Sequence, residues 1–313
     1  MNNNLAIGDE ITVSIEKLVY GGEGLARYQG AVVFVPASAP GDQLQVRIIG
    51  QERTLYRAEL VKVLEAGADR RTPPCSYVGS CGGCQLQHLS YEAQLKAKAA
   101  FISEALRRVG RIDWPEPVEV QHAAELGYRS RVQFKLDRNQ QPLQIGFYKL
   151  GSHEVCNVET CQILLPTLNQ ALNQLRTAEA TILASKIPYS KIDIVAGDEG
   201  LAANQAVGIL QVAVQQKVLG INYSFDPNCF FQVNSLMLQT LVETVITGHK
   251  GGVALDLYAG VGLFALQLAR NYQHVIATEV NAQASYWARQ NIKDSGFSNV
   301  EYYALSTERW LSQ

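Results

Sequence analysis

Over residues 1–64 the apolar positions fall in short alternating runs, at 11–15, 31–35, 43–48 and 58–63. Alternation places every second side chain on one face of a strand. Gly21-Gly22, Gly24, Gly30 and Pro40-Gly41 separate the runs. Roughly five short strands with glycine turns predict a compact barrel of the oligonucleotide-binding type. Residues 65–90 lose the pattern and read as a loop, with Pro73-Pro74 and Gly82-Gly83 inside it. From Ser90 to Val109 the period lengthens. Leu95, Ala99, Ile102 and Leu106 recur at spacings of three and four, which predicts a helix with that stripe buried.

Alternation returns at 129–136 and 143–148, an antiparallel hairpin joined through 137–142. Residues 164–183 read as one helix, with Pro166 in its first turn. Strands are expected at 191–195 and 209–214, and a helix at 234–246. The last stretch alternates strand and helix: strand 253–257, helix to Arg270, strand 275–279, helix 282–293, strand 300–304. That order predicts an open parallel sheet. The fold class is therefore α/β in three parts: a barrel over 1–64, a loop and central α+β region over 65–225, and a nucleotide-binding domain over 226–313. The helix at 90–110 is expected to pack on that last domain.

Apolar residues make up 47% of the 313, ample for a packed core. No run is long enough for a membrane span and no leader pattern opens the chain, so a cytoplasmic, monomeric protein is expected. Net charge is −2, which excludes a uniformly basic nucleic-acid binder. The charge is uneven, however. Residues 96–149 carry a basic excess of four and residues 150–313 an acidic excess of four. A basic middle is a candidate phosphate-facing surface, and an ordinary solvated helix face fits equally well.

The sharpest local pattern is Asp256-Leu-Tyr258-Ala-Gly260-Val-Gly262-Leu-Phe264. It follows an apolar strand and opens a helix, where glycines let a ligand approach the backbone. Glu279 ends the next strand, where an acid can hydrogen-bond ribose hydroxyls. Two cofactors compete. The glycine spacing also satisfies a dinucleotide fingerprint, which would suit an oxidoreductase. The acid four residues before Gly260 suits a cationic cofactor such as S-adenosylmethionine and is ill placed for a pyrophosphate.

Five of the six cysteines are clustered. Cys75-x5-Cys81-Gly-Gly-Cys84 sets three thiols on one loop, one ligand short of a tetrahedral or cubane site. Cys161 is the first choice for the fourth and Cys156 the second. Spacing leaves zinc, with His88 or a distant cysteine, open beside iron–sulfur. Cys229 reads as a buried thiol.

Taken together these segments resemble the bacterial RNA uracil-C5 methyltransferases that act on 23S ribosomal RNA. Cys75 to His88 followed by Glu-Thr-Cys161 is similar to their iron–sulfur signature. Gly21-Gly22-Glu-Gly24-Leu-Ala-Arg27, Val33-Phe-Val-Pro36 and Pro40-Gly41-Asp are similar to their N-terminal TRAM domain. Phe230-Phe-Gln232-Val-Asn234 and Asp256 to Phe264 resemble the segments around their cofactor. The landmarks occur in the family's order along the whole chain.

The resemblance implies a [4Fe-4S] cluster on Cys75, Cys81, Cys84 and Cys161. It implies S-adenosylmethionine contacts at Gln232, Tyr258, Gly260 and Glu279, and RNA contacts at Arg129 and Arg131. The implied substrate is RNA, 23S rRNA before tRNA. In the family a cysteine thiolate adds to uracil C6, C5 takes the methyl group, and a base removes the C5 proton. That cysteine and the base glutamate fall after the cofactor loop, at positions expected beyond Gln313. The cofactor domain is therefore expected to be incomplete and this chain inactive alone, leaving a non-catalytic RNA-binding module as the second reading.

Overall fold

The computed structural model describes residues 5–184, 190–205, 208–209 and 212–312. The chain divides into two compact units, residues 1–122 with 148–154, and residues 123–147 with 155–313. The cysteine loop and the helix after it thus belong with the barrel, and the central sheet belongs with the nucleotide-binding sheet. No helix among the described residues is long and apolar enough to cross a membrane.

In the first unit β1 (Glu10–Leu18), β2 (Gly24–Tyr28), β3 (Ala31–Val35), β4 (Gln43–Glu52) and β5 (Leu55–Glu65) close into a barrel in the order β1-β2-β3-β5-β4. Every second residue points inward: Ile11, Val13 and Ile15 from β1 meet Leu44, Val46 and Ile48 from β4. The β2 strand is not among the expected runs, because Gly24 reads as a turn signal. Gly24 is needed for another reason. A Cβ there would lie 2.0 Å from Ser38 Oγ and 2.8 Å from Ile15. Only glycine lets β2 approach so closely.

Helix α1 (Tyr91–Ala105) starts where Ser90 Oγ accepts the Ala93 N–H. Its buried face is not the expected one. Ala93, Ala97 and Phe101 pack against Leu18, Ala39 and Leu89, while Ile102 stays 52% exposed. The small side chains of Ala93 and Ala97, one turn apart, let the helix lie close to the barrel. Within its own unit its packing partners are Leu18 of the barrel, Ala39 beyond β3 and Leu89 of the loop. The helix ends in a wider, π-type turn, Leu106–Gly110.

One buried cluster locks the loop to the barrel. Asp42 is fully buried and accepts N–H bonds from Ala39 at 2.6 Å and Gly67 at 2.8 Å. Arg70 pairs with the same carboxylate at 2.6 Å and donates to the Ala37 carbonyl. His88 Nε2 donates to the Ser38 carbonyl at 2.9 Å.

In the second unit β6 (Arg131–Asp137), β7 (Gln144–Tyr148) and β8 (Val155–Asn157) precede α2 (Pro166–Thr177) and α3 (Glu179–Ala184), then β9 (Lys191–Ala196) and β10 (Leu201–Ala203). The five strands form one sheet, β10-β9-β6-β7-β8. The expected hairpin is β6–β7, with Lys135 opposite Gly146. The single helix expected over 164–183 is two, broken at Ala178. Of the strand expected at 209–214, residues 210 and 211 lie outside the described residues, and β11 (Val214–Val218) begins at its end. It pairs with β12 (Ile221–Phe225).

The chain closes with α4 (Leu238–Ile246), β13 (Gly251–Leu257), α5 (Leu263–Leu268), β14 (Tyr272–Thr278), α6 (Ala282–Ser295), β15 (Val300–Tyr303) and α7 (Thr307–Leu311). The three strands are parallel in sequence order, with Asp256 opposite Ala277. Val261, Leu263 and Leu266 pack with Tyr223, Phe225 and Phe231, fastening the β11–β12 hairpin to this sheet's helices.

Burial alone would raise the Asp42 pKa, but Arg70 and the two backbone N–H groups outweigh it and hold it below 3.8. A depressed pKa gives stability that is present above 3.8 and lost as pH falls below it. Asp42→Asn is expected to cost about 3 kcal/mol at pH 7. Urea unfolding of both proteins at pH 7 and pH 3 should show that gap shrinking at the lower pH; an unchanged gap would refute the assignment.

Candidate functional site

Strand β13 delivers Asp256 to a turn spanning residues 258–262. Tyr258, Gly260 and Gly262 all have positive φ, at 68°, 57° and 88°. Glycine adopts this freely, whereas Tyr258 does so under strain. Its ring is 67% exposed and its hydroxyl donates to Glu308 at 3.0 Å. Glu279 follows β14 and faces the turn. Oε2 accepts the Gly260 N–H at 3.1 Å and Oε1 accepts the Asn281 N–H at 2.7 Å. Asp256 Oδ2 accepts the Ala265 N–H at 2.8 Å, in the first turn of α5.

These two carboxylates set the electrostatics. Burial raises the Asp256 pKa to about 6; the Ala265 N–H opposes the rise and the charge of Glu279 adds to it. A bound cation relieves such strain, whereas a pyrophosphate adds to it. The donor set therefore fits S-adenosylmethionine, with its sulfonium and ammonium groups, better than a dinucleotide.

Several residues that hold this turn carry no motif. Tyr302 on β15 donates to the Gly260 carbonyl at 2.8 Å. Asn291, buried on α6, donates to the carbonyls of Val261 and Ser224 and accepts the Ser224 N–H. Each is at least 30 residues from the atom it holds in the turn, so only the fold reveals it.

The segment carrying Gln232 borders the turn. The Phe230 carbonyl lies 3.9 Å from where a Cβ on Gly260 would sit. Phe231 stacks on Phe225 with ring centroids 4.1 Å apart. Asp226, buried, accepts N–H bonds from Trp287 at 2.7 Å and Asn228 at 2.6 Å. Gln232 itself is half-buried. Arg131, expected to face RNA, spends its guanidinium here: it donates to the Pro227 carbonyl at 2.6 Å and to the Cys229 carbonyl. Arg129 donates through Nε to the Arg131 carbonyl at 2.9 Å. The two arginines thus brace the Gln232 segment.

Cys229 is fully buried, and burial together with the Asp226 charge pushes its thiol up to about 12. It is an inert thiol at neutral pH.

The other cysteines fall in both units. Cys75, Cys81 and Cys84 are half-buried in the first; Cys161, half-buried in the second, exchanges hydrogen bonds with Asn169. Gly82 donates its N–H to the Tyr148 carbonyl at 2.9 Å, and the Gly83 N–H reaches Cys81 Sγ at 3.4 Å. Among the described residues no three His, Cys, Asp or Glu side chains are gathered to hold a metal ion. The expected [4Fe-4S] cluster on Cys75, Cys81, Cys84 and Cys161, and the alternative zinc ion, thus find no gathered donor set among the described residues. The spacing fixes only that three thiols share a loop.

Two family models match the chain: the TRAM domain over residues 5–61 and tRNA (Uracil-5-)-methyltransferase over residues 201–313. An uncharacterized RNA methyltransferase of Synechocystis is 30% identical over 97% of this chain and 78% of its own length. The 23S rRNA (uracil(1939)-C(5))-methyltransferase of Mannheimia succiniciproducens is 30% identical over 96% of the chain and 76% of its own length. The crystal structure of the Pyrococcus abyssi tRNA (uracil-54, C5)-methyltransferase with S-adenosyl-L-homocysteine has the same fold, with a TM-score of 0.70 at 22% identity, covering 93% of this chain and 78% of that one.

Burial decides which thiols react. Maleimide labelling of the folded chain is expected to reach Cys75, Cys81 and Cys84 and to spare Cys156 and Cys229. Protection of the three loop thiols, with iron and sulfide released on acid treatment, would contradict this arrangement and restore the cluster.

Proposed function

Because this chain belongs to the S-adenosylmethionine-dependent RNA uracil-5-methyltransferase family, we propose that its turn at residues 258–262 binds that cofactor and that its RNA partner is 23S ribosomal RNA. The observation that carries the cofactor half is the pair of carboxylates, Asp256 and Glu279, around a glycine turn. Glu279 is suited to the ribose hydroxyls, with one oxygen on the Gly260 N–H fixing its direction. Gln232, Tyr258 and Gly260 line the same ligand, and Tyr258 offers an exposed ring. Arg131, Arg129 and Tyr302 keep these groups in place. When bound, the cofactor supplies an electrophilic methyl group.

The ribosomal substrate is supported by the names of the Mannheimia and Shewanella amazonensis relatives, both 23S rRNA uracil-1939 enzymes. A tRNA substrate is the second reading, favoured by the name of the matching family model.

Uracil C5 needs activation by a nucleophile at C6. Cys229 follows closely on the second unit's β12, yet its buried, protonated thiol cannot supply it. We infer that the described residues bind and orient cofactor and RNA and that the nucleophile for the addition is not among them. Residues 1–313 incubated with methyl-labelled cofactor and uridine-containing 23S rRNA fragments should transfer no label to C5. Turnover by this chain would sink the proposal that it is inactive alone.

A further inference from the structure

One side chain at the cofactor turn is explained neither by packing nor by backbone preference. Tyr258 sits at φ 68°, a conformation that glycine adopts freely and an aromatic residue rarely does. Its ring is 67% exposed, so no core burial offsets that strain. Strain of this kind persists where the surrounding structure fixes it, and it gathers at ligand sites. The turn therefore holds a large flat side chain where glycine would sit without strain.

What fixes the ring lies 50 residues further on, where Glu308 Oε1 accepts the Tyr258 hydroxyl at 3.0 Å. Glu308 is the second residue of α7 and is itself exposed. Its own N–H, the Tyr258 hydroxyl and Ser306 hold its carboxyl below the usual 4.5, so the acceptor is charged at neutral pH. One residue brings the two side chains together. Thr278, fully buried at the end of β14, accepts the Ala259 N–H through its carbonyl at 2.8 Å. Its hydroxyl meets the Thr307 hydroxyl at 3.0 Å. The neighbours of those two partners in sequence are Tyr258 and Glu308. Ser306 Oγ accepts the Arg309 N–H at 3.3 Å and starts α7 at a fixed point. The tether thus joins two points whose separation the sheet sets.

We infer that Glu308 is a positioning residue for the cofactor: through the Tyr258 hydroxyl it holds the phenol ring as a ready-made wall beside the glycine turn. The inference rests on the reading of that turn as the S-adenosylmethionine site, and it gives a role to a residue outside both sequence motifs. An exposed, untethered tyrosine turns about its side-chain bonds and loses that freedom when a ligand arrives. With the tether, the freedom is already lost on folding. The competing account is a third carboxylate acting on a cationic ligand by charge alone. The two differ in what a glutamine at the position does.

The test is equilibrium dialysis of the full chain against methyl-labelled S-adenosylmethionine. Glu308→Ala and Tyr258→Phe are each expected to raise Kd about fivefold, the effect of freeing one side chain. The double variant should bind no more weakly than either single one, since both cut the same bond. Glu308→Gln loses the charge and keeps an accepting oxygen, so it should recover most of the loss. Losses that multiply in the double variant overturn the positioning role, as does Glu308→Gln binding as weakly as Glu308→Ala. Tyr258→Phe leaves α7 untouched, so an unchanged Kd in that variant overturns the role even if Glu308→Ala fails to fold. Each of these outcomes leaves the cofactor reading standing. No binding by the wild-type chain overturns both.

Discussion

The cofactor site depends on one register. Parallel pairing of β13 with β14 sets Asp256 opposite Ala277, so the chain leaves both strands at the same end of the sheet. That places Glu279 over the glycine turn within hydrogen-bond reach of the Gly260 N–H. Two acids then flank one turn; burial raises the Asp256 pKa and the charge of Glu279 adds to the rise. A slip by one residue would turn every side chain of β13 to the opposite face and dismantle the site. Tyr302 on the third strand and Asn291 on α6 fasten the turn from two sides.

The same logic of distant support runs through the second unit. The segment before the sheet, which carries Gln232, has no regular structure of its own. It is held by Arg131 from the central sheet, by Asp226 bonded to Trp287, and by the Phe225–Phe231 stack. In the barrel unit Asp42 and Arg70 do the equivalent work for the cysteine loop. Each unit thus fixes an irregular segment with a buried or half-buried guanidinium, because irregular backbone leaves carbonyls and N–H groups that need partners.

Much of this was legible from periodicity. The barrel, the β6–β7 hairpin and the strand–helix alternation around Gly260 all follow from spacing, and Asp256, Gly260 and Glu279 are found from the motif alone. What spacing missed has physical causes. Helix α1 is apolar on more than one side, so the longest residues marked the wrong stripe, and the small ones at 93 and 97 went inside. Gly24 reads as a turn, yet it is the close contact of a strand. Basic residues on a strand suggested RNA, and spacing gave no sign that the Arg131 guanidinium also answers carbonyls far along the chain. Cysteine spacing reports proximity in sequence, whereas a metal site requires convergence of sulfurs, which sequence spacing does not report.

The claim on which everything else rests is that two carboxylates beside the turn select a cationic cofactor. Calorimetric titration of the chain with S-adenosylmethionine and, separately, with NADH tests it. The account predicts binding of S-adenosylmethionine, weakened about tenfold or more in Glu279→Gln, and no heat from NADH. Binding of NADH with none of S-adenosylmethionine would contradict it.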